Sequence, residues 1–222
     1  MSAGGDKKGG RIGTLCSLLE RAEVFADVGC DHGYCTLYAL ENGVCERAYI
    51  SDVSAGSLRK AEKLLARYIE EGRVRSFCCD GLSLVPRDAE QVLVAGMGGD
   101  EILSVLGGGF LTPRLVLQPM KNAPKVRAFL LGSGYSVVRD YTFRDAKFYD
   151  VIVAQKGAPV REYDERSLRF GYDNLHSPSQ DFLAWLRAEA EKWRSRTGGG
   201  EAAARRLKEL TEAYDEAQRN LR

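Results

Sequence analysis

Val24-Phe25-Ala26-Asp27-Val28 runs into Gly29-Cys30-Asp31-His32-Gly33-Tyr34, and the reading of this junction decides the fold. The apolar run has the length of a buried strand, the glycines mark a tight turn, and Tyr34 to Asn42 carries a helix-like pattern stopped by Gly43. Strand, turn and helix in that order predict the opening unit of an α/β domain. The turn holds only two glycines of a dinucleotide fingerprint, with Asp31 in the middle position. A carboxylate there repels a pyrophosphate. S-adenosylmethionine carries no phosphate but has a sulfonium and an ammonium, and a loop in which Asp27 and Asp31 flank Gly29 suits it. The plain alternative is a tight turn that binds nothing.

The same grammar repeats outward. Ala48 to Ser51 with Asp52 predicts a second strand, and Ser57 to Glu71 a helix, with Leu58, Ala61, Leu65 and Tyr68 on one face and Gly72 as its stop. Val74–Cys78, Gln91–Ala95 and Leu115–Gln118 read as further strands, and Asp100–Leu106 and Ala123–Leu131 as helices. Tyr135–Phe143 and Phe148–Gln155 are joined by Arg144 to Lys147, too short for a parallel crossover, so they should form an antiparallel hairpin. A seven-stranded, mostly parallel Rossmann-like sheet closed by a hairpin is the class I methyltransferase arrangement. Residues 1–157 are expected to form this domain, and residues 158–222 a helical one. In the latter, Leu183, Leu186, Ala190 and Trp193, then Ala203, Leu207, Leu210, Tyr214, Ala217 and Leu221, step by threes and fours. That spacing predicts an antiparallel coiled-coil hairpin turning at Gly198 to Gly200, entered through a polar link, Asp173 to Ser177, with Ser177 as cap and Pro178 in the first turn.

Composition bounds the function. The 222 residues are 44% hydrophobic and 28% charged, enough for a packed core and too few for two ordinary enzyme domains. With 32 basic against 31 acidic residues the net charge is +1, so a nucleic-acid surface has to be local. Arg114 to Phe170 holds eleven Lys or Arg against six acids, a modest basic bias that fits RNA and equally a solvated face. The opening MSAGGDKKGG has no apolar core of a signal peptide and no run reaches membrane-spanning length, so a cytoplasmic protein without a membrane partner is expected. The six cysteines read as free thiols. Cys30, His32 and Cys35 lack a CxxC pair, which leaves no metal expected.

Asp52, roughly twenty residues beyond the loop, is placed to accept from ribose hydroxyls, or else to cap the helix at Ser54 or Ser57. Asp80 and Gly81 follow the third strand, where a polar side chain reads an adenine amino group and Leu82 packs on the ring; an ordinary turn is the competing reading. Gly96-Met97-Gly98-Gly99 ends the fourth strand at the topological switch, where a ligand is favoured over a mere bend. The Asp/Asn-Pro-Pro-aromatic signature of enzymes that methylate exocyclic base amines is absent there. Gln118-Pro119 closes the fifth strand on the same edge, with an amide that can face a base or simply end the strand.

In order, DVGCDHGY, SDVSAGSLRKAEK, VAGMGG, LVLQP and FGYDNLHSPSQDFLAWL resemble the bacterial TrmK family from about Arg11 to the C-terminus. The resemblance implies a class I domain followed by a coiled-coil hairpin, and transfer of a methyl group from S-adenosylmethionine to N1 of adenine 22 in tRNA. It maps Gly29, Asp31, His32, Asp52, Asp80 and Gly81 onto cofactor motifs, to which Asp27, Gly33 and Gly96 of the same loops are added. The resemblance also implies that Met97 and Gln118 line the meeting place of methyl and base. His32 is kept as a candidate to orient base or cofactor, Tyr34 as a partner for the flipped base. Cys35-Thr36 and Met120 depart from the family's Leu-Pro and Asn. The N1 lone pair is already nucleophilic, so no strong base is required. The competing readings are a methyltransferase for a small molecule or protein, and a cofactor- or RNA-binding module without turnover. Oligomeric state is open, with a monomer favoured.

Overall fold

The computed structural model describes residues 10–110, 112–195 and 200–221. Its sheet is built from β1 (Ala22–Val28), β2 (Cys45–Asp52), β3 (Val74–Cys78), β4 (Gln91–Met97), β5 (Arg114–Pro119), β6 (Tyr135–Asp145) and β7 (Lys147–Lys156), in the spatial order β3-β2-β1-β4-β5-β7-β6. The first five run parallel, and β7 is antiparallel to both β5 and β6. The predicted hairpin is present and tighter than expected: Asp145 pairs with Lys147 across Ala146, whose φ is 53°. β1 has β2 on one side and β4 on the other, so the chain leaves its C-terminal end in both directions and opens the crevice in which doubly wound sheets bind ligands.

Helices cover both faces, which is why β1 and β5 are buried along nearly their whole length. α1 (Gly10–Ser17), α2 (Tyr34–Glu41), α3 (Ala55–Leu64) and α4 (Ala66–Glu70) pack on one side, bringing Leu15, Ala39, Ala61 and Leu65 against Phe25, Ile50 and Leu93. α5 (Gly99–Gly108) and α6 (Ala123–Gly132) cover the other, with Ile102, Val126 and Leu130 on Val92, Leu115 and Ile152. Two local expectations change. The single helix expected over 57–71 breaks at the fully buried Leu65, and α1 was not anticipated at all.

Past Lys156 the chain forms α7 (Glu165–Phe170), α8 (Tyr172–His176), α9 (Gln180–Arg194) and α10 (Gly200–Asn220). The supposed polar link is therefore largely helical. Ser177 ends α8, and the N-cap of α9 is Ser179, whose hydroxyl accepts from the Phe182 amide at 3.1 Å. α10 returns along α9, burying Leu183, Leu186 and Ala190 against Leu210, Ala213 and Ala217, while Asn220 donates back to the Leu175 carbonyl. The expected turn lies mostly outside the described residues.

Strand β6 is a sheet edge, and its outward amides would be free to pair with another chain. Instead Asp140, Thr142 and Arg144 donate their backbone N–H to Asp173, Asn174 and Asp181 at 2.8 to 2.9 Å. The Arg127 guanidinium, buried under α7, grips Asp140 through Nε and Nη2. Arg127 and Arg114 thus lie inside the protein, so part of the basic bias of residues 114–170 is structural and never reaches a surface.

Candidate active site

A cavity of about 610 Å³ opens at the C-terminal ends of β1, β2 and β4. Asp27, Gly29, Asp31, His32, Asp52, Asp80, Gly81, Gly96 and Met97 all line it, as does Tyr34. Positions spread over 70 residues of sequence meet because parallel strands deliver all their C-terminal loops to one edge.

Asp27 lies at its floor, 5% exposed, and its carboxylate accepts from the Thr36 hydroxyl at 2.8 Å. Burial pushes its pKa up to about 6, against the smaller opposing pull of that hydrogen bond. Beyond it the loop folds back on β2, with the Gly29 and Cys30 amides donating to the Ser51 carbonyl. Gly29 has φ 69°, and a Cβ there would strike the Met97 methyl, so Met97 lies directly over the loop. Asp31 also takes positive φ, at 45°, and its carboxylate meets His32 Nδ1 at 2.7 Å while the His32 ring stacks on Tyr34. Asp52 accepts from the Asp31 amide at 3.3 Å and the Ser54 amide at 2.8 Å, on the cavity's rim. It ties the two loops together; the cap of α3 is Ser54, which accepts from Ser57.

Three expected contacts are placed elsewhere. Gly33 is off the cavity wall: buried with φ 74°, it admits α2 against Ala61 and Leu65, each 3.1 Å from where a Cβ would stand. Leu82 is buried in the core under α5. Gln118 is fully buried behind Arg11, whose Nε–H donates to its Oε1 at 2.7 Å. An arginine only donates, so the amide orientation is fixed.

Arg11 was missed by sequence reasoning, and among the described residues lining the cavity it is the one Lys or Arg. Helix α1 carries it there, held by Asp145, which accepts the Arg11 amide from 134 positions away. Its guanidinium fits only because Gly96 lacks a side chain: a Cβ there would lie 2.7 Å from Nη2. The spacing of Ile12, Leu15, Cys16 and Leu19 was the available signal for α1. Among the described residues, no cluster of three or more His, Cys, Asp or Glu is placed to hold a metal ion.

Among its described residues the wall combines one buried acid, Asp27, and one guanidinium, Arg11, with the strand-end acids Asp52 and Asp80. A Rossmann-like sheet with this order, a closing hairpin and this cavity define a class I methyltransferase, and residues 9–152 match the family described as a methyltransferase domain. The tRNA (adenine(22)-N(1))-methyltransferase of Bacillus subtilis strain 168 is 30% identical over 167 residues, 72% of this chain and 70% of that protein. The chain belongs to that tRNA methyltransferase family. Solved structures agree in fold: Streptococcus pneumoniae Sp1610 in complex with S-adenosyl-L-methionine (TM-score 0.84, 24% identity, 92% of this chain and 98% of that one) and B. subtilis TrmK (0.75, 22%, 98% and 100%).

Proposed function

We propose that the protein transfers a methyl group from S-adenosylmethionine to N1 of an adenine in tRNA, at position 22 as its B. subtilis relative's name states. The observation that carries the reading is the charge order of the cavity along the sheet edge: Asp80 after β3, Asp52 at the end of β2, Asp27 in β1, then Gly96 in β4 with the Arg11 guanidinium against it. Arg11 holds the carboxylate of the cofactor's amino-acid end and Asp27 its ammonium. Asp52 accepts from the ribose hydroxyls, and Asp80 with Gly81 reads the adenine. Gln118 is a positioning residue that fixes Arg11.

When bound, the cofactor supplies a methyl group on a cationic sulfur. Because N1 of adenine attacks with a lone pair and loses no proton first, the chain needs only to orient the base and exclude water. Met97, lying over Gly29, is an adaptable apolar wall for that approach. His32, tethered to Asp31 and stacked on Tyr34, is held as an aromatic platform for the unstacked base. We assign residues 1–157 to the catalytic domain and 158–222 to a helical domain, in a monomer that meets its tRNA in the cytoplasm. Among the described residues, no helix is long and apolar enough to cross a membrane.

Incubation with S-adenosylmethionine and unmodified tRNA, then nucleoside mass spectrometry, should yield 1-methyladenosine. A different methylated nucleoside would refute the base assignment, and cofactor binding without any methylated RNA would refute the substrate class.

A further inference from the structure

A second groove opens beside the methyl-transfer loop, between the sheet and the C-terminal helices. Its first part, about 280 Å³, is walled by Met120 and Lys121 of the β5–α6 loop, Phe148 of β7 and Trp185 of α9. A hollow of about 450 Å³ continues it, sharing Arg169 and Arg206 and reaching Trp193 and Arg205. The chain has two tryptophans, and both stand on this one track. They lie about 12 Å apart along α9, more than one nucleotide step.

Its charges are arranged unevenly. Arg169 and Arg206 share Glu209, and Glu189 is taken by Lys192, so those acids are already paired. Asp150 is held within the protein, its carboxylate accepting from the Thr142 hydroxyl at 2.6 Å. Lys121 and Arg205, toward the two ends, make no ion pair among the described residues. The track is also fixed relative to the reaction centre. The Met120 amide donates to the Met97 carbonyl and the Gly99 amide to the Lys121 carbonyl, both at 2.8 Å. The Lys121 stem lies over Gly98, where a Cβ would come within 2.6 Å of its Cε. At the other side, the hydrogen bonds from β6 to Asp173, Asn174 and Asp181 lock the helices to the sheet.

We propose that this track binds the RNA strand flanking the target adenine, with an unstacked neighbouring base on Trp185 and backbone phosphates on Lys121 and Arg205. The inference rests on the proposed tRNA substrate. Extruding one base leaves its neighbours partly unstacked, and aromatic faces interleaved with cations hold such strands whatever their sequence.

The two tryptophans make the test direct, because all intrinsic indole fluorescence comes from the track. Titrating the full-length protein with unmethylated tRNA transcript should quench that fluorescence in step with binding followed by anisotropy of labelled tRNA, while S-adenosylmethionine alone should not. The exposed pair Lys121→Ser with Arg205→Ser should weaken tRNA binding about tenfold and reduce the salt slope by about 1.4, that is, about 0.7 per lost contact to a single strand. Its cofactor affinity by calorimetry should match that of the unaltered protein. Trp185→Phe, which keeps an aromatic ring against Phe182, should retain binding, whereas Trp185→Leu, apolar but without a ring face, should lose affinity severalfold. Methylation of tRNA by the unaltered protein, with fluorescence unmoved on binding and an unchanged salt slope in the double variant, would overturn the track and leave the function standing. Absence of both tRNA binding and methylation would overturn the function, and the track with it.

Discussion

Asp27 and Asp140 are both buried carboxylates, and the protein provides for them in opposite ways. Asp140, 0% exposed, receives two guanidinium nitrogens of Arg127, the Tyr163 hydroxyl and the Tyr172 amide. Asp27, 5% exposed, receives the Thr36 hydroxyl and faces a cavity. A buried charge is costly unless it is paired and hydrogen-bonded on its remaining lone pairs. The completed network therefore marks a joint, where β6, α6 and the C-terminal helices are fixed to one another. The incomplete one leaves lone pairs open to the cavity, which the proposed pairing of Asp27 with the cofactor's ammonium requires.

The comparison can be attacked at its strong end first. Arg127→Ala would leave Asp140 buried with its principal partner gone, and unfolding in urea should show a loss of about 3–5 kcal/mol. A loss under about 1 kcal/mol would mean that Tyr163 and the backbone suffice for Asp140, and the contrast with Asp27 would dissolve.

At the other end the sign reverses. The Asp27 pKa is about 6 in the folded chain against 3.8 unperturbed, so its stability contribution is present below pH 3.8 and lost as pH rises through about 6. Asp27→Asn should therefore be more stable than the parent above about pH 7, by up to about 3 kcal/mol, with the gain vanishing in acid. The same variant should bind S-adenosylmethionine at least about tenfold more weakly, since an ion-paired hydrogen bond is lost. A variant less stable than the parent at every pH would show that the carboxylate is structurally satisfied.

Much of the cavity was legible because its signals are local. Apolar runs, glycine turns and an acid after each strand identify Asp27, Gly29, Asp52 and Asp80 one by one, and the parallel topology then brings them to one edge. Arg11 was hidden for the opposite reason. Gly10 and Gly13 weaken the helical pattern of α1, and what holds Arg11 in place is a carboxylate on the far hairpin. The burial of Gln118 behind it follows from that same contact. Nor does any local pattern distinguish Arg127 from a surface arginine of α6, because its partner Asp140 belongs to β6. The sequence pattern likewise described a polar link, Asp173 to Ser177, where most of α8 forms, since that short helix has no side-chain cap and depends on the bonds that Asp173 and Asn174 accept from β6.

Asp52 supplies a control on the same wall. It is also an acid at a strand end, but it stands at the rim and already accepts two backbone amides. Asp52→Ala should weaken cofactor binding about tenfold, through two lost ribose hydrogen bonds of about 0.5–1.5 kcal/mol each, without the stability gain expected at Asp27. Unchanged affinity by calorimetry would remove Asp52 from the ribose site.

The finest test alters the side-chain donor of Asp27. If the cofactor's ammonium pairs with an ionised Asp27, protons compete with it, and affinity measured across pH should fall as pH drops through about 6. Thr36→Val keeps the shape of a fully buried side chain and removes only the hydroxyl donor, leaving the Thr36 backbone amide beside the carboxylate. Burial then acts on Asp27 with less opposition, and the midpoint should move upward by about one pH unit, the equivalent of about 1.4 kcal/mol for a hydrogen bond to a charged group. Affinity well above that midpoint should hardly change, because the carboxylate is ionised in both proteins. A midpoint that stays in place would mean that another group governs the binding, and Asp27 would join Asp140 as a carboxylate that serves the fold alone.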